Sequence, residues 1–123
     1  MSEPSLYSRL GGYDAISAVA NNLVTRVRAD ARLGRFWAHR GSDGIEREVQ
    51  LLIDFLCHVA GGPMYYTGRD MKTSHKGMGI SEQDWAALIM HLNATLDHFK
   101  VPAAEREAVV GFVQSTKGEI VEA

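Results

Sequence analysis

The sequence of 123 residues contains a single cysteine, only three prolines and no long apolar run. Because Cys57 has no second cysteine to pair with, an internal disulfide framework and a cysteine-based zinc site are excluded. No segment approaches the roughly 20 apolar residues that span a bilayer. The N-terminal residues also lack the apolar core of a secretion signal. We therefore expect a cytoplasmic protein without a membrane partner.

An excess of charge of one sign is also missing. The 13 basic and 15 acidic residues give a formal net charge of −2 and are spread along the chain. Without a basic stripe, nucleic acid is not an expected partner. The length is that of about one domain, so we expect a single domain over residues 1–123.

Strand patterns are absent, since neither a sustained period-two alternation nor a hairpin dipeptide occurs. Apolar residues instead recur at steps of three and four almost throughout, which predicts an all-α fold. Asp14, the pair Asp43 and Glu46, and the run from Ser81 to Asp84 are predicted to cap helices. The predicted helices are a short one with Leu6 and Leu10, one from Asp14, and others over about 44–60, 70–76, 82–99 and 103–120.

Motifs of common enzyme chemistry are missing too. The chain has no G-x-S-x-G nucleophile elbow and no P-loop, and its Gly-Gly pairs follow no strand. His91 and His98 share a helical face, but no H-E-x-x-H pattern accompanies them. The sequence therefore predicts no catalytic residue.

His75 has an unusual setting among the five histidines. It lies on a very short predicted helix, between an irregular loop and a glycine-rich exit at Gly77 and Gly79. Such a segment contributes little to a core but can place one side chain. An imidazole that binds haem iron through one nitrogen needs its other ring N–H held by an acceptor. The backbone carbonyl of Met71, one helical turn earlier, can supply that acceptor.

The motifs around His75 resemble the proximal region of group I truncated haemoglobins. Further motifs match the same family, in the same order, over nearly the whole chain. The matching segments are LYSRLGG at 6–12, RV at 26–27, Asp30, RL at 32–33, Phe36, GGP at 61–63, YTG at 66–68, MK at 71–72, HKG at 75–77, GI at 79–80 and KG at 117–118. The resemblance implies a two-over-two arrangement of helices around haem.

The resemblance also implies haem b as the cofactor, with its iron bound by His75. It assigns Trp37 to the aromatic position that packs on the haem. On the proximal side it implies contacts from Ile80, Trp85 and Leu88. The candidates to meet the haem propionates are Tyr66, Arg69 and Lys72.

The distal side departs from the family pattern. Val24 stands where family members carry a tyrosine. Counting back from Phe55, Leu51 and Leu52 occupy positions where glutamine or histidine is frequent, and Glu48 falls at the pocket mouth. A hydrogen bond that involves charge stabilises bound oxygen by about 1.5–3 kcal/mol, and these apolar side chains provide none. Gln50 would be a donor only in a different helical register. We therefore expect oxygen to be held weakly.

Three functions remain open at this point. The leading hypothesis is a haem protein that binds oxygen, nitric oxide or carbon monoxide, with oxygen binding or transport, or nitric oxide detoxification by a dioxygenase activity, as its role. The second is an electron-transfer or peroxidase-like haem protein, for which His39 is the candidate sixth ligand. The third is a haem-free helical regulatory domain. We expect a monomer, and an unidentified reductase is a candidate partner.

Overall fold

Helices make up all the regular structure in the described residues, 5–37, 41–62 and 78–122, of this computed structural model. The all-α prediction is confirmed for these ranges. None of their helices is long and apolar enough to cross a membrane. The elements are α1 (Leu6–Leu10), α2 (Gly12–Ala29), a 3₁₀ turn (Gly34–Phe36), α3 (Ser42–Val59), α4 (Glu82–His98), α5 (Ala103–Gln114) and α6 (Lys117–Ile120).

The junction between α1 and α2 is tighter than the sequence predicts. Gly11 ends α1 in the left-handed conformation, with φ at 111°, and is at the same time the N-cap of α2. A Cβ at this position would lie 2.9 Å from the Cβ of Ala15, so the reversal needs glycine. The prediction that Asp14 caps the helix is therefore wrong. Asp14 lies in the first turn, where a negative charge still interacts favourably with the helix dipole.

The starts of α3 and α4 differ in how they are capped. The prediction for Asp43 and Glu46 is wrong, because α3 begins one residue before Asp43 and its N-cap, Gly41, has no side chain to bond with. The prediction for α4 is confirmed. Ser81 accepts a hydrogen bond from the Asp84 N–H at 3.1 Å and donates its own N–H to the Asp84 Oδ2 at 3.0 Å.

The last predicted helix is two helices in the structure. The Ser115 hydroxyl donates to the Phe112 carbonyl at 2.6 Å, and the Thr116 hydroxyl to the Val113 carbonyl at 2.7 Å. These local bonds compete with helix continuation, and the chain turns between α5 and α6. Phe112, in the last turn of α5, is 39% exposed.

The buried residues form two hydrophobic clusters. In the main cluster α2 packs against α3 and α4, while α4 packs against α5. A smaller cluster contains Ile80, Trp85 and Ile120. Four half-buried residues pack against both clusters and join them. They are Phe36, Leu88, Ile89 and Val113. The main cluster consists of Leu6, Ile16, Ala20, Leu23, Val27, Leu33, Ile53, Leu56, Cys57, Ala60, Leu92, Leu96 and Val109.

Candidate functional site

One face of α3 carries the predicted distal residues together. Because successive residues turn by about 100° around a helix, Glu48, Leu51, Leu52 and Phe55 fall within about 100° of its circumference. All four are half-buried. Leu52 and Phe55 pack against the edge of the main cluster, whereas Leu51 belongs to neither cluster of the described residues. This face therefore presents apolar surface that the described residues cover only in part.

Val24 is buried, with 5% of its surface exposed. It lies at the base of a groove of about 310 Å³ between α2 and α3, together with Val49 and Ile53. Gln50 borders the same groove but is exposed. Its amide donates to the Tyr13 hydroxyl and to the Asp54 carboxylate, both at 3.0 Å. Gln50 is therefore engaged on the outer side of α3, away from the face of Leu51 and Leu52.

The start of α4 and the residue Ile80 before it bring together the predicted proximal residues. Ile80 and Trp85 are buried in the smaller cluster, and Leu88 packs against them while joining the main cluster. The Trp85 indole donates to the Gln114 Oε1 at 2.8 Å. Trp37, at the end of the 3₁₀ turn, is half-buried at the edge of the main cluster.

Two acidic groups tie the segment 30–37 to α4, and sequence reasoning missed both. Asp30, after α2, accepts the N–H groups of Arg32 and Leu33 and lies 2.6 Å from the His91 Nε2 on α4. The hydrogen bond from His91 is the main reason why the pKa of Asp30 is lowered, and those two N–H groups add to it.

The second tie is an ion pair between α4 and the 3₁₀ turn. The Arg35 guanidinium lies 2.8 Å from the Asp84 Oδ2. This hydrogen bond lowers the pKa of Asp84 to about 2, although burial acts in the opposite direction. The capping pattern identifies Asp84, but its pairing with a residue 49 positions away depends on tertiary packing.

The histidines divide between described and undescribed parts of the chain. His58 is exposed on α3. His91 is engaged with Asp30, and the exposed His98 packs edge-on against Phe99. No group of three or more metal-ligating side chains occurs within residues 5–37, 41–62 and 78–122. The predictions for His39, Tyr66, Arg69, Met71, Lys72 and His75 lie outside the described residues.

The described residues fit a haem. Half-buried apolar side chains from three parts of the chain remain at the cluster edges, including Trp37, Leu52 and Phe55, and Met78 and Leu88. A flat apolar macrocycle gains stability by covering such surface, at roughly 25 cal/mol per Å² removed from water. Such an apolar site between helices is compatible with the globin class. The bacterial-like globin family matches residues 5–122, and the chain belongs to that family.

Within that class the chain is a group 1 truncated haemoglobin. It is 31% identical to the group 1 truncated hemoglobin GlbN of Mycolicibacterium paratuberculosis, over 94% of this chain and 83% of that protein. It is 30% identical to the group 1 truncated hemoglobin of Tetrahymena pyriformis, over 98% of each chain. The crystal structure of truncated hemoglobin from T. pyriformis in the Fe(III) form matches with a TM-score of 0.88 at 28% identity, covering 98% of this chain and 100% of that one.

These findings confirm three predictions: the truncated haemoglobin family, the two-over-two globin fold and the haem cofactor with its iron. They also establish haem-based binding of diatomic gases as the function of this class of protein. Family membership favours both haem-protein hypotheses over the haem-free regulatory domain.

Proposed function

We propose that this protein binds a diatomic gas at haem iron held by His75, beside a distal wall made of Val24, Leu51 and Leu52. The observation that carries the proposal is that the described residues cover the face of α3 with Leu51 and Leu52 only in part, while Val24 is buried in the groove between α2 and α3. The haem supplies the iron that binds the gas. The protein supplies the pocket and its polarity.

The proposed distal wall excludes water and offers no hydrogen bond. Valine and leucine side chains carry neither donor nor acceptor. Gln50, the nearest amide on α3, is bonded to Tyr13 and Asp54 instead. Oxygen becomes polar when bound and therefore loses more from a missing donor than carbon monoxide does. We expect weak oxygen binding, ready oxidation of the iron and comparatively strong binding of carbon monoxide.

On the other side of the haem, the proposed roles follow the resemblance. The Met71 carbonyl holds the free ring N–H of His75, while Tyr66, Arg69 and Lys72 meet the propionates. Ile80, Trp85 and Leu88 pack against the macrocycle on this side, and Trp37 occupies the aromatic position that packs on the haem. The three side chains from residues 80–88 already lie together in or against one cluster, which supports a shared surface.

The substitution His75→Ala tests the proposed iron ligand. We expect the holoprotein to show a five-coordinate ferrous spectrum and His75→Ala to lose haem or to change that spectrum. His98→Ala is the matched control, because His98 is exposed and lies against Phe99. Unchanged spectra in His75→Ala would contradict the assignment.

The ferrous spectrum also tests the electron-transfer alternative. A low-spin ferrous spectrum that disappears in His39→Ala would favour an electron carrier over a gas-binding protein.

Nitric oxide detoxification requires oxygen to stay at the haem until nitric oxide arrives, and a reductase to restore ferrous iron. The apolar wall disfavours both that role and oxygen transport. We propose a monomeric cytoplasmic protein whose ligand is nitric oxide or carbon monoxide.

A further inference from the structure

A buried carboxylate stands out in the first turn of α4, beside the 3₁₀ turn. The Asp84 side chain is only 1% exposed, yet two arginines approach it from outside. Its Oδ2 accepts hydrogen bonds from the Ser81 N–H at 3.0 Å and from Arg35 at 2.8 Å. Its Oδ1 has no hydrogen-bond partner in the described residues, and Arg32 is 3.6 Å away.

Helix capping explains only part of this arrangement. The capping box needs one carboxylate oxygen at the start of α4 and works at an exposed position. Burying the same carboxylate is unfavourable unless charge pairing compensates for lost hydration. The arginines that provide this pairing belong to the segment between α2 and α3, so the burial of Asp84 depends on where that segment packs.

Arg35 is held by three contacts at once. One guanidinium nitrogen binds Asp84, and another donates to the Arg32 carbonyl. The guanidinium carbon lies 4.1 Å from the centre of the Phe36 ring, which is a cation–π distance. A planar guanidinium can stack on the ring and bind a carboxylate together, which a lysine ammonium cannot reproduce.

Phe36 connects this ion pair to the proposed site. It packs against both hydrophobic clusters, and its neighbour Trp37 lies at the edge of the main cluster. The same segment begins at Asp30, which is bonded to His91 on α4. Gly34 brings the turn against α2, since a Cβ there would lie 2.7 Å from the Arg28 carbonyl oxygen. The turn is therefore bound to α4 on both sides of Gly34, through Asp30 before it and Arg35 after it.

We infer that Asp84 and Arg35 are positioning residues: the Asp84 carboxylate holds the Arg35 guanidinium on the Phe36 ring and so fixes the aromatic wall of Phe36 and Trp37 against the haem. This inference rests on the proposed function, which assigns Trp37 to the haem contact. Arg32 contributes less, because its contact with Asp84 is longer than a hydrogen bond.

The test uses the holoprotein labelled with 5-fluorotryptophan. The sequence has two tryptophans, and the variant Trp85→Phe assigns the two fluorine resonances. We expect Asp84→Asn and Arg35→Lys to shift the Trp37 resonance, to alter the circular dichroism of the Soret band and to speed haem loss. If one charge-assisted hydrogen bond is lost from the wall, haem loss becomes about tenfold faster.

Asp97→Asn is the matched control. Asp97 also lies on α4 and pairs with an arginine, Arg106, but it is 66% exposed. We expect this variant to keep the Trp37 resonance, the Soret band and the haem-loss rate of the wild type. Asp84→Glu keeps the charge and the capping box but moves the carboxylate by one methylene. It behaves like the wild type if only capping matters, and like Asp84→Asn if the position of Arg35 matters.

A merely structural role for Asp84 gives a different result. Asp84→Asn would then lower the unfolding temperature while all three haem-site readouts stay at wild-type values, which would overturn the inference. If Asp84→Asn does not fold, Arg35→Lys decides the question, because Arg35 is half-exposed. A wild-type chain that binds no haem contradicts the proposed function. If the holoprotein binds haem and its Trp37 fluorine resonance is the same in Arg35→Lys as in the wild type, only this inference is contradicted.

Discussion

The two walls of the proposed haem site are built from different interactions. The α3 wall presents Leu51, Leu52 and Phe55 with the half-buried Glu48 beside them, while Gln50 on another side of the helix bonds to groups on the outer surface. The aromatic wall of Phe36 and Trp37 depends on a buried carboxylate, Asp84, whose partner Arg35 lies over the Phe36 ring. Polar groups thus hold one wall in place, whereas the side chains proposed to line the ligand position, Val24, Leu51 and Leu52, are apolar. In the proposed site, the polar side chains Asp84 and Arg35 position the wall and do not contact the ligand.

The largest effect is expected when the ionic wall is broken. Asp84→Ala removes the carboxylate half of the capping box of α4 and leaves two arginines without their partner, so we expect the free energy of unfolding to fall by about 2–3 kcal/mol. Asp97→Ala, which breaks an exposed pair on the same helix, should change it by no more than about 1 kcal/mol. Urea unfolding monitored by far-ultraviolet circular dichroism measures both. Equal losses in the two variants would show that the two pairs have the same role.

The apolar wall can be altered by adding a donor. Val24→Tyr places a hydroxyl where the wild type has none, and one hydrogen bond of about 1.5 kcal/mol slows oxygen dissociation about tenfold. Carbon monoxide dissociation should change much less. Stopped-flow measurements on wild type and variant test this. Slow oxygen dissociation already in the wild type would reveal a donor in the native pocket, and overpacking of the new ring, which costs about 1–3 kcal/mol, would appear as lost stability.

Low pH is expected to weaken the wall of Phe36 and Trp37 selectively, because its ion pair needs the ionised carboxylate of Asp84. The pKa of Asp84 is about 2 in the folded protein, below its ordinary value of 3.8. A lowered folded-state pKa contributes stability that is fully present above pH 3.8 and is lost as the pH falls towards 2. The stability difference between wild type and Asp84→Asn should therefore shrink across this window. Urea unfolding at several pH values measures it, and a constant difference would contradict the assignment.

The smallest effect is expected on the outer side of α3. Gln50→Leu removes the hydrogen bonds to Tyr13 and Asp54, which are exposed and contribute at most about 1 kcal/mol. Oxygen dissociation should keep its wild-type rate, because Gln50 is directed away from the apolar face. Faster dissociation in this variant would show that Gln50 reaches the ligand and that the register of α3 differs from the one described.

The accuracy of the sequence predictions depended on how local each interaction is. The extent of α1 and the capping box of Ser81 and Asp84 were predicted because they involve groups within a few residues of one another. The cap at Asp14 was wrong, since a left-handed Gly11 allows the helix to begin two residues earlier. The break after Gln114 was missed because the apolar period continues through two hydroxyl residues that bond back to the chain.

The sequence by itself determined the helical class, the apolar face of α3 and, through its motifs, the family and the haem. Periodicity and motif spacing carry that information because they are properties of neighbouring residues. Only the tertiary structure decided that Asp30 meets His91 and that Asp84 meets Arg35. Neither pair has a spacing that a pattern could reveal. Each forms because α4 packs against α2 and the following turn, which brings the two partners together and takes most of the carboxylate out of water, so that the pairing is favourable.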